Sequence, residues 1–370
     1  MASGMLPQIR GDADMIVTRR KLDLPILRVP DWPACDQAAW HEATRPVGWL
    51  DEGGRLSKYP AASIQAFESA YGRWLGFLST QFHMANLRSG LDNLDRESLR
   101  AFVERLSSKL APITVHNYLI SHLTVARALA PERVFPFLRT AIAHLKRTAK
   151  PISDKRSRIV PIRDLYALGR RLMEIAPASP TPLKGAGLYR DGLMIALLAV
   201  RPIRIGNLSS IEIDRHLLRE GDAFWLVFPA AEVKNRRPLE FTLPTNLTEP
   251  ISEYLDLYRP RLLSRRGRHW RRCPGKALWI SEHGTALGRS HIREHICRRT
   301  RERFGFSVNP HLFRDCAATS IATEDPAHVG IIMPILGHAR ADTAERYYNQ
   351  ARSLDAARRY QDAIGTLRGD

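Results

Sequence analysis

The chain has 370 residues, 44% hydrophobic and 25% charged, which supplies packed cores for two or three domains and excludes a disordered chain. Lys and Arg total 56 against 38 Asp and Glu, a formal charge of +18; a soluble protein this basic meets a polyanion, nucleic acid foremost. Cys35, Cys273, Cys297 and Cys316 form no CxxC pair and read as free thiols rather than a disulfide framework. Residues 1–30 show no signal-peptide core, and the longest apolar run, 193–200, is too short to span a bilayer, so a cytoplasmic protein without membrane association is expected.

Residues 1–56 mix Pro, Gly, Trp and charge with little periodicity. They are expected to form an N-terminal arm with one short helix at 35–44 and a turn at 51–54. From residue 57 the pattern changes: Ile64, Phe67, Tyr71, Trp74, Leu75 and Leu78 recur at three- and four-residue steps, as in an amphipathic helix. A second helix is predicted over 96–110, capped by Asp95, with Leu99, Phe102, Val103 and Leu106 inward. Third and fourth helices fit 114–129 and 134–146, making 57–150 an all-helical domain. Trp32, Trp40, Trp49 and Trp74 are expected in cores or interfaces rather than as base-stacking platforms.

Residues 151–163 combine Pro151 and Pro161 with basic residues and read as a linker. Lys150 just before it, and Lys155, Arg156 and Arg158 within it, are candidates to cross a phosphate backbone; the plainer reading is a solvated hinge. Residues 164–370 mix long helices with a β-hairpin, 222–229 and 239–243, around the polar turn 234–237. A further strand is expected at 278–281. The basic run 259–276 suits phosphate contact or a solvated loop, and Arg289 and Arg293 lie on an arginine-dense helix expected to face DNA. An amphipathic tail helix at 353–367 carries Leu354, Ala357, Tyr360 and Ile364 on one face. The expected fold class is mainly α with a small β component.

The chemistry-bearing residues stand in one order: Arg-Pro-Ile-Arg-Ile-Gly-Asn-Leu (201–208), Lys234, His-Leu-Phe-Arg (311–314), Leu-Gly-His (336–338) and Tyr347. Phosphoryl transfer places negative charge on equatorial oxygens, which guanidinium forks bind in bidentate fashion. Fixed cations at such oxygens lower the barrier, a histidine and a lysine move protons, and a tyrosine forms a covalent ester.

This ordered set closely resembles the tyrosine recombinase, or phage integrase, family over the catalytic half from about residue 188, and more weakly over 57–150. Its most specific piece is Leu336-Gly337-His338 with Tyr347 nine residues after the histidine, since 347 − 338 = 9. Tyr348 is one residue off register, about 100° away on a helix. The resemblance implies a helical, SAM-like core-binding domain and an α/β catalytic domain closing as a clamp on duplex DNA. It implies that Arg204 and Arg314 clamp the scissile phosphate, His338 adds a hydrogen bond, Lys234 protonates the leaving 5′ oxygen and His311 assists proton removal from Tyr347. It further implies a 3′-phosphotyrosine intermediate, no metal, ATP or other cofactor, a homo-tetramer assembled on two double-stranded DNA sites at the bacterial nucleoid through tail-helix docking, and accessory recombination proteins. The N-terminal extension leans toward a mobile-element integrase. Two departures stand out. Asn207 occupies the position where the family carries an acidic residue, and Arg201 offers a second register for the first arginine; Arg204 is preferred because the residues after it fit the next helix.

Three rivals accompany this reading: a type IB topoisomerase-like nicking and resealing enzyme, a catalytically inactive DNA-binding accessory protein, and a zinc hydrolase suggested by the HxxEH pattern His291–His295. The arginines flanking that pattern disfavour a dication.

Overall fold

The structure, a computed structural model, describes residues 22–50, 52–83, 87–149, 156–264 and 275–336, with isolated helical positions between 349 and 368. It divides into two compact units, Met1–Ser153 and Asp154–Asp370.

The first unit is helical: α1 (Ala34–Thr44), α2 (Ala61–Leu78), α3 (Arg96–Ser107), α4 (Pro112–Leu129) and α5 (Pro136–Thr148). The apolar period seen in sequence becomes the buried face. Phe67, Tyr71, Trp74, Leu75 and Leu78 of α2 meet Leu99, Phe102 and Leu106 of α3 in one core. Asp95 caps α3, accepting from the Ser98 N–H at 2.8 Å, which satisfies one of the orphan donors of the first turn.

Residues 24–56 are not a separate arm. Leu24, Trp32, Trp40, Ala43 and Leu56 belong to the same core. The physical reason lies in α2, where Gly72 leaves its surface open: a Cβ there would stand 2.1 Å from the Leu27 carbonyl oxygen. The Leu27 N–H instead donates to the Gly72 carbonyl at 3.0 Å. Asp36, buried in α1, accepts from the Tyr71 hydroxyl at 3.0 Å, the Ser89 hydroxyl at 2.6 Å and the Gly90 N–H at 2.8 Å. A buried carboxylate is tolerable only with such donors. Trp32, Trp40 and Trp74 are core residues, whereas Trp49 is 96% exposed.

The second unit is built around α7 (Pro182–Val200), buried along most of its length. α6 (Ile162–Ile175) crosses it backbone against backbone: a Cβ on Gly169 would lie 2.6 Å from the Ala196 nitrogen, and one on Gly192 2.7 Å from the Gly169 carbonyl oxygen. After α7 come the short α8 (Ile205–Ser209) and an antiparallel sheet in the order β1 (Leu217–Glu220), β2 (Ala223–Phe228), β3 (Leu239–Thr242). Trp225 pairs with Thr242 and Phe228 with Leu239, the hairpin read from the sequence; β1, paired Leu217 to Leu226, was not foreseen. Next come α9 (Thr248–Glu253), a π turn at Tyr254–Tyr258, α10 (Arg259–Leu263), α11 (Arg289–Phe304), α12 (Pro310–Glu324) and α13 (Ile332–Leu336). The strand expected at 278–281 is instead a connector. Its neighbourhood makes only isolated bridges, Glu212 with Ala277 and Ile280 with Ala286, and Trp279 is anchored by its indole N–H donating to the Leu208 carbonyl at 2.8 Å. No described helix is long and apolar enough to cross a membrane.

His122 of α4 is fully buried against Tyr71, Trp74 and Phe102. Neither ring nitrogen has a hydrogen-bond partner among the described residues. Burial lowers its pKa to about 3, so the folded unit holds it neutral while the unfolded chain protonates near 6.5. The folded pKa lies below the unfolded one. This contribution to stability is therefore intact above pH 6.5 and is lost as pH falls toward 3. Wild type should lose about 2 kcal/mol between pH 7 and pH 5 from this group. His122→Phe should abolish that part of the slope in denaturant unfolding followed by tryptophan fluorescence.

Candidate active site

α7 ends at Val200, and the chain turns through Arg201, Pro202 and Ile203 before α8 begins immediately after Arg204. This is the register in which Arg204, not Arg201, immediately precedes the next helix. α12 supplies the second arginine. Asn309 caps that helix, its side chain accepting from the His311 and Leu312 N–H groups at 3.0 and 3.1 Å, with Pro310 at the first helical position. His311 is exposed near the helix start, and Arg314 lies one turn on, three residues away.

Arg314 is 6% exposed. Its Nη1 donates to the Pro202 carbonyl at 2.7 Å, and its Nη2 donates to the Leu336 carbonyl. One side chain thus ties α12 to the turn that carries Arg204 and to the end of α13. Arg204 and Arg314 line one cavity of about 350 Å³ whose further wall is residues 238–241 of the β3 strand and its approach. The two arginines expected to clamp a phosphate are therefore brought together.

The other expected residues fall as follows. Lys234 is exposed on the connection between β2 and β3, four residues before the cavity wall begins at Pro238. It does not line that cavity. Asn207 is buried, and its amide nitrogen donates to the Glu232 carbonyl at 3.3 Å, tethering α8 to the segment that leads into Lys234. His338 and Tyr347, and with them Tyr348, lie outside the described residues, as does most of the tail at 353–367.

Among the basic candidates, Lys150 and Lys155 lie outside the described residues, and Arg156 begins a short 3-10 turn at Arg156–Arg158. Arg158, Arg293 and Arg301 share the electrostatic environment of the Cys297 thiol; burial raises that thiol's pKa, and the three guanidiniums act against the rise. Arg289 and Arg293 are exposed on α11. The Arg289 guanidinium reaches α8, where a Cβ on Gly206 would lie 3.3 Å from its Nη2. The basic run at 259–276 is partly spent inside the fold. Arg259 donates to the Ala277 carbonyl through Nε at 3.2 Å and Nη2 at 2.8 Å, and Lys276 pairs with Asp214 at 3.1 Å.

The sequence reading missed the network beneath α11. Asp191 and Arg190, both fully buried in α7, form an ion pair at 2.7 Å, and Asp191 also holds Arg299 at 3.0 Å and Arg298 at 3.5 Å. Burial pushes the Asp191 carboxyl upward, but Arg190, His295 and Arg299 together outweigh it and hold the group well below the usual carboxylate range. The signal was present: an Arg-Asp pair inside an otherwise apolar helix demands buried partners. The same network explains the HxxEH pattern. His295 Nδ1 lies 3.1 Å from Asp191 and 3.0 Å from Arg298, so its ring belongs to this cluster, and no three potential metal ligands cluster among the described residues.

Residues 170–353 match the model of the phage integrase family. A sequence search found no match among curated proteins. Solved structures similar in fold include the XerH site-specific recombinase bound to palindromic difH substrate in a post-cleavage complex, at 14% identity and TM-score 0.55, covering 83% of this chain and 80% of that one. The XerH pre-cleavage complex with difH matches at 15% identity and TM-score 0.53, over 80% of this chain and 79% of that one.

Arg314→Lys cannot serve both carbonyls and should cost about 2–4 kcal/mol, which chemical denaturation checks. Asp191→Asn, which leaves Arg190 buried beside a neutral group, should cost about 3–5 kcal/mol in the same measurement.

Proposed function

Starting from the phage integrase family domain that residues 170–353 form, we propose that this protein is a site-specific DNA recombinase that cleaves and rejoins strands through a tyrosyl ester. The observation that carries the reading is the pairing of Arg204 and Arg314 on one cavity wall. Two guanidinium forks on one cavity suit the non-bridging oxygens of one phosphodiester. The fold shared with a DNA-bound recombinase supports the same reading.

In the proposed mechanism the Tyr347 phenol oxygen attacks phosphorus while Arg204 and Arg314 neutralise the charge growing on the equatorial oxygens, with His338 adding a hydrogen bond. The bond from phosphorus to the 5′ oxygen breaks. His311 assists removal of the phenolic proton, and Lys234, carried on the β2–β3 connection, delivers a proton to the leaving oxygen. A 3′-phosphotyrosine and a free 5′ hydroxyl result. Attack by the hydroxyl of a second strand reverses the step and releases the tyrosine. The bond energy is kept in the ester, so strand exchange needs neither ATP nor a metal ion.

The proposed partners are two double-stranded DNA sites and a homo-tetramer assembled on them through the tail at 353–367, with accessory recombination proteins setting direction. The proposed setting is a mobile genetic element acting at the bacterial nucleoid. Lys150, Lys155, Arg156, Arg158, Arg289 and Arg293 are assigned to the DNA backbone in this reading. Such contacts set register and affinity without reading sequence.

The test uses duplexes from the DNA flanking the gene, supplemented by duplexes selected for binding from a random pool. Each is nicked near the candidate cleavage position to trap the intermediate. In the presence of EDTA, wild type should form a covalent protein–DNA adduct on denaturing gels, and Tyr347→Phe should lose it while Tyr348→Phe retains it. Loss only in Tyr348→Phe would move the nucleophile by one residue. Tight binding with no adduct would identify an inactive DNA-binding relative, and relaxation of supercoiled DNA without strand exchange would identify a topoisomerase-like enzyme.

A further inference from the structure

We propose that Arg201 is a third phosphate ligand of this cavity, binding the DNA backbone beside the phosphate assigned to Arg204 and Arg314. The inference rests on the DNA reading above and adds a residue to it.

Arg201 lines the same cavity as Arg204 and Arg314. It ends α7 in an extended conformation, φ −140° and ψ 91°, so the chain leaves the helix before its side chain is placed. The guanidinium carbon lies 5.3 Å from the Phe241 ring centroid. Phe241 belongs to β3, so the sheet holds the cation at the cavity wall through a cation–π contact.

What sets Arg201 apart is how little of its hydrogen-bonding capacity the fold uses. A guanidinium carries five N–H donors. Arg201 makes one hydrogen bond among the described residues, from Nη1 to the Val200 carbonyl at 3.5 Å, and its buried Nε makes none. Arginines that the fold holds in its interior are spent differently: Arg259 serves Ala277, and Arg190 serves Asp191 and the Ile280 carbonyl.

The bland alternative is a cation placed at a helix C-terminus, where the dipole favours it. A contact of 3.5 Å to one terminal carbonyl is too long for a good cap. A ring contact alone orients a guanidinium without satisfying it. An anion with several acceptor oxygens does both, and the cavity already presents two arginines to such a group. The balance of charge points the same way. The carboxylate on the lining, Glu240, is exposed and forms no ion pair with Arg201 among the described residues. Three arginines therefore face one carboxylate, an excess suited to more than one backbone phosphate.

Two readouts test this on the full chain. The first is the salt dependence of binding to a random-sequence duplex, measured in chloride for wild type, Arg201→Gln and Arg201→Lys. The planar glutamine amide can rest on Phe241 but carries no charge. It should reduce the slope of log K against log salt by about 0.9, one phosphate contact, while Arg201→Lys keeps the wild-type slope. The second is phenylglyoxal labelling of wild type, read by mass spectrometry: bound duplex should shield Arg201, and inorganic phosphate at matched ionic strength should not. This second readout decides the matter if Arg201→Gln does not fold. An unchanged slope, or labelling of Arg201 indifferent to duplex, would overturn the proposal and leave Arg201 a packing residue. Shielding by inorganic phosphate alone would make it an ion site unrelated to DNA. A wild-type slope near zero would instead overturn the DNA reading itself.

Discussion

One buried guanidinium sets the geometry of the candidate site. Arg314 reaches the carbonyls of Pro202 and Leu336, which stand two residues ahead of Arg204 and of His338. Backbone carbonyls orient a guanidinium without cancelling its charge, so the side chain that staples α12 to its neighbours also remains a cation on the cavity wall. This double duty follows from the planar fork, whose donors point in fixed and different directions. An ammonium at the same place serves one carbonyl well and leaves the other unsatisfied, at a cost of about 1–3 kcal/mol. The position of the first arginine therefore depends on the second.

A second constraint lies beneath α11. That helix is dense in arginine, and its buried residues are only Ile292, Ile296 and Thr300. So narrow an apolar stripe contributes little by itself. Asp191 supplies what is missing: from the middle of α7 it holds Arg190, Arg298 and Arg299 at once. The helix is pinned through its charges, and Arg289 and Arg293 stay exposed on it. A buried carboxylate among guanidiniums is costly to assemble and more costly to break. Such a cluster fixes one arrangement of α7 and α11, and with it the arginine-rich surface proposed to meet DNA.

Much of this was legible in the sequence, for reasons that differ by region. The helices of the first unit could be read because Phe67, Tyr71, Trp74, Leu99, Phe102 and Leu106 repeat with the helical period. The hairpin could be read because apolar runs flank a polar turn; Arg204 and Arg314, singled out by residue type and order, line one cavity. The packing of residues 24–56 could not be read. It depends on an opening in α2 at Gly72, which no periodicity within 24–56 announces. β1 was missed because only Leu217 of its four residues is buried, too little alternation to register. The reassignment of 278–281 reflects tertiary context, since that segment is anchored to Leu208 and Ile211 on a different part of the chain. The uses of Arg259 and Lys276 within the fold were likewise invisible in a run that reads simply as charge.

The central claim, that guanidiniums act on the charge of the scissile phosphate, is tested most directly by removing that charge from the DNA. Adduct formation by wild type and Arg204→Ala should be compared on duplexes carrying an ordinary phosphodiester or a neutral methylphosphonate at the cleaved linkage. The account predicts a penalty on the order of 10²–10³-fold for Arg204→Ala on the phosphodiester, shrinking to tenfold or less on the methylphosphonate, roughly the loss of one neutral hydrogen bond. An equal penalty on both linkages would contradict it, because Arg204 would then be acting on the shape of the site and not on the charge of the phosphate.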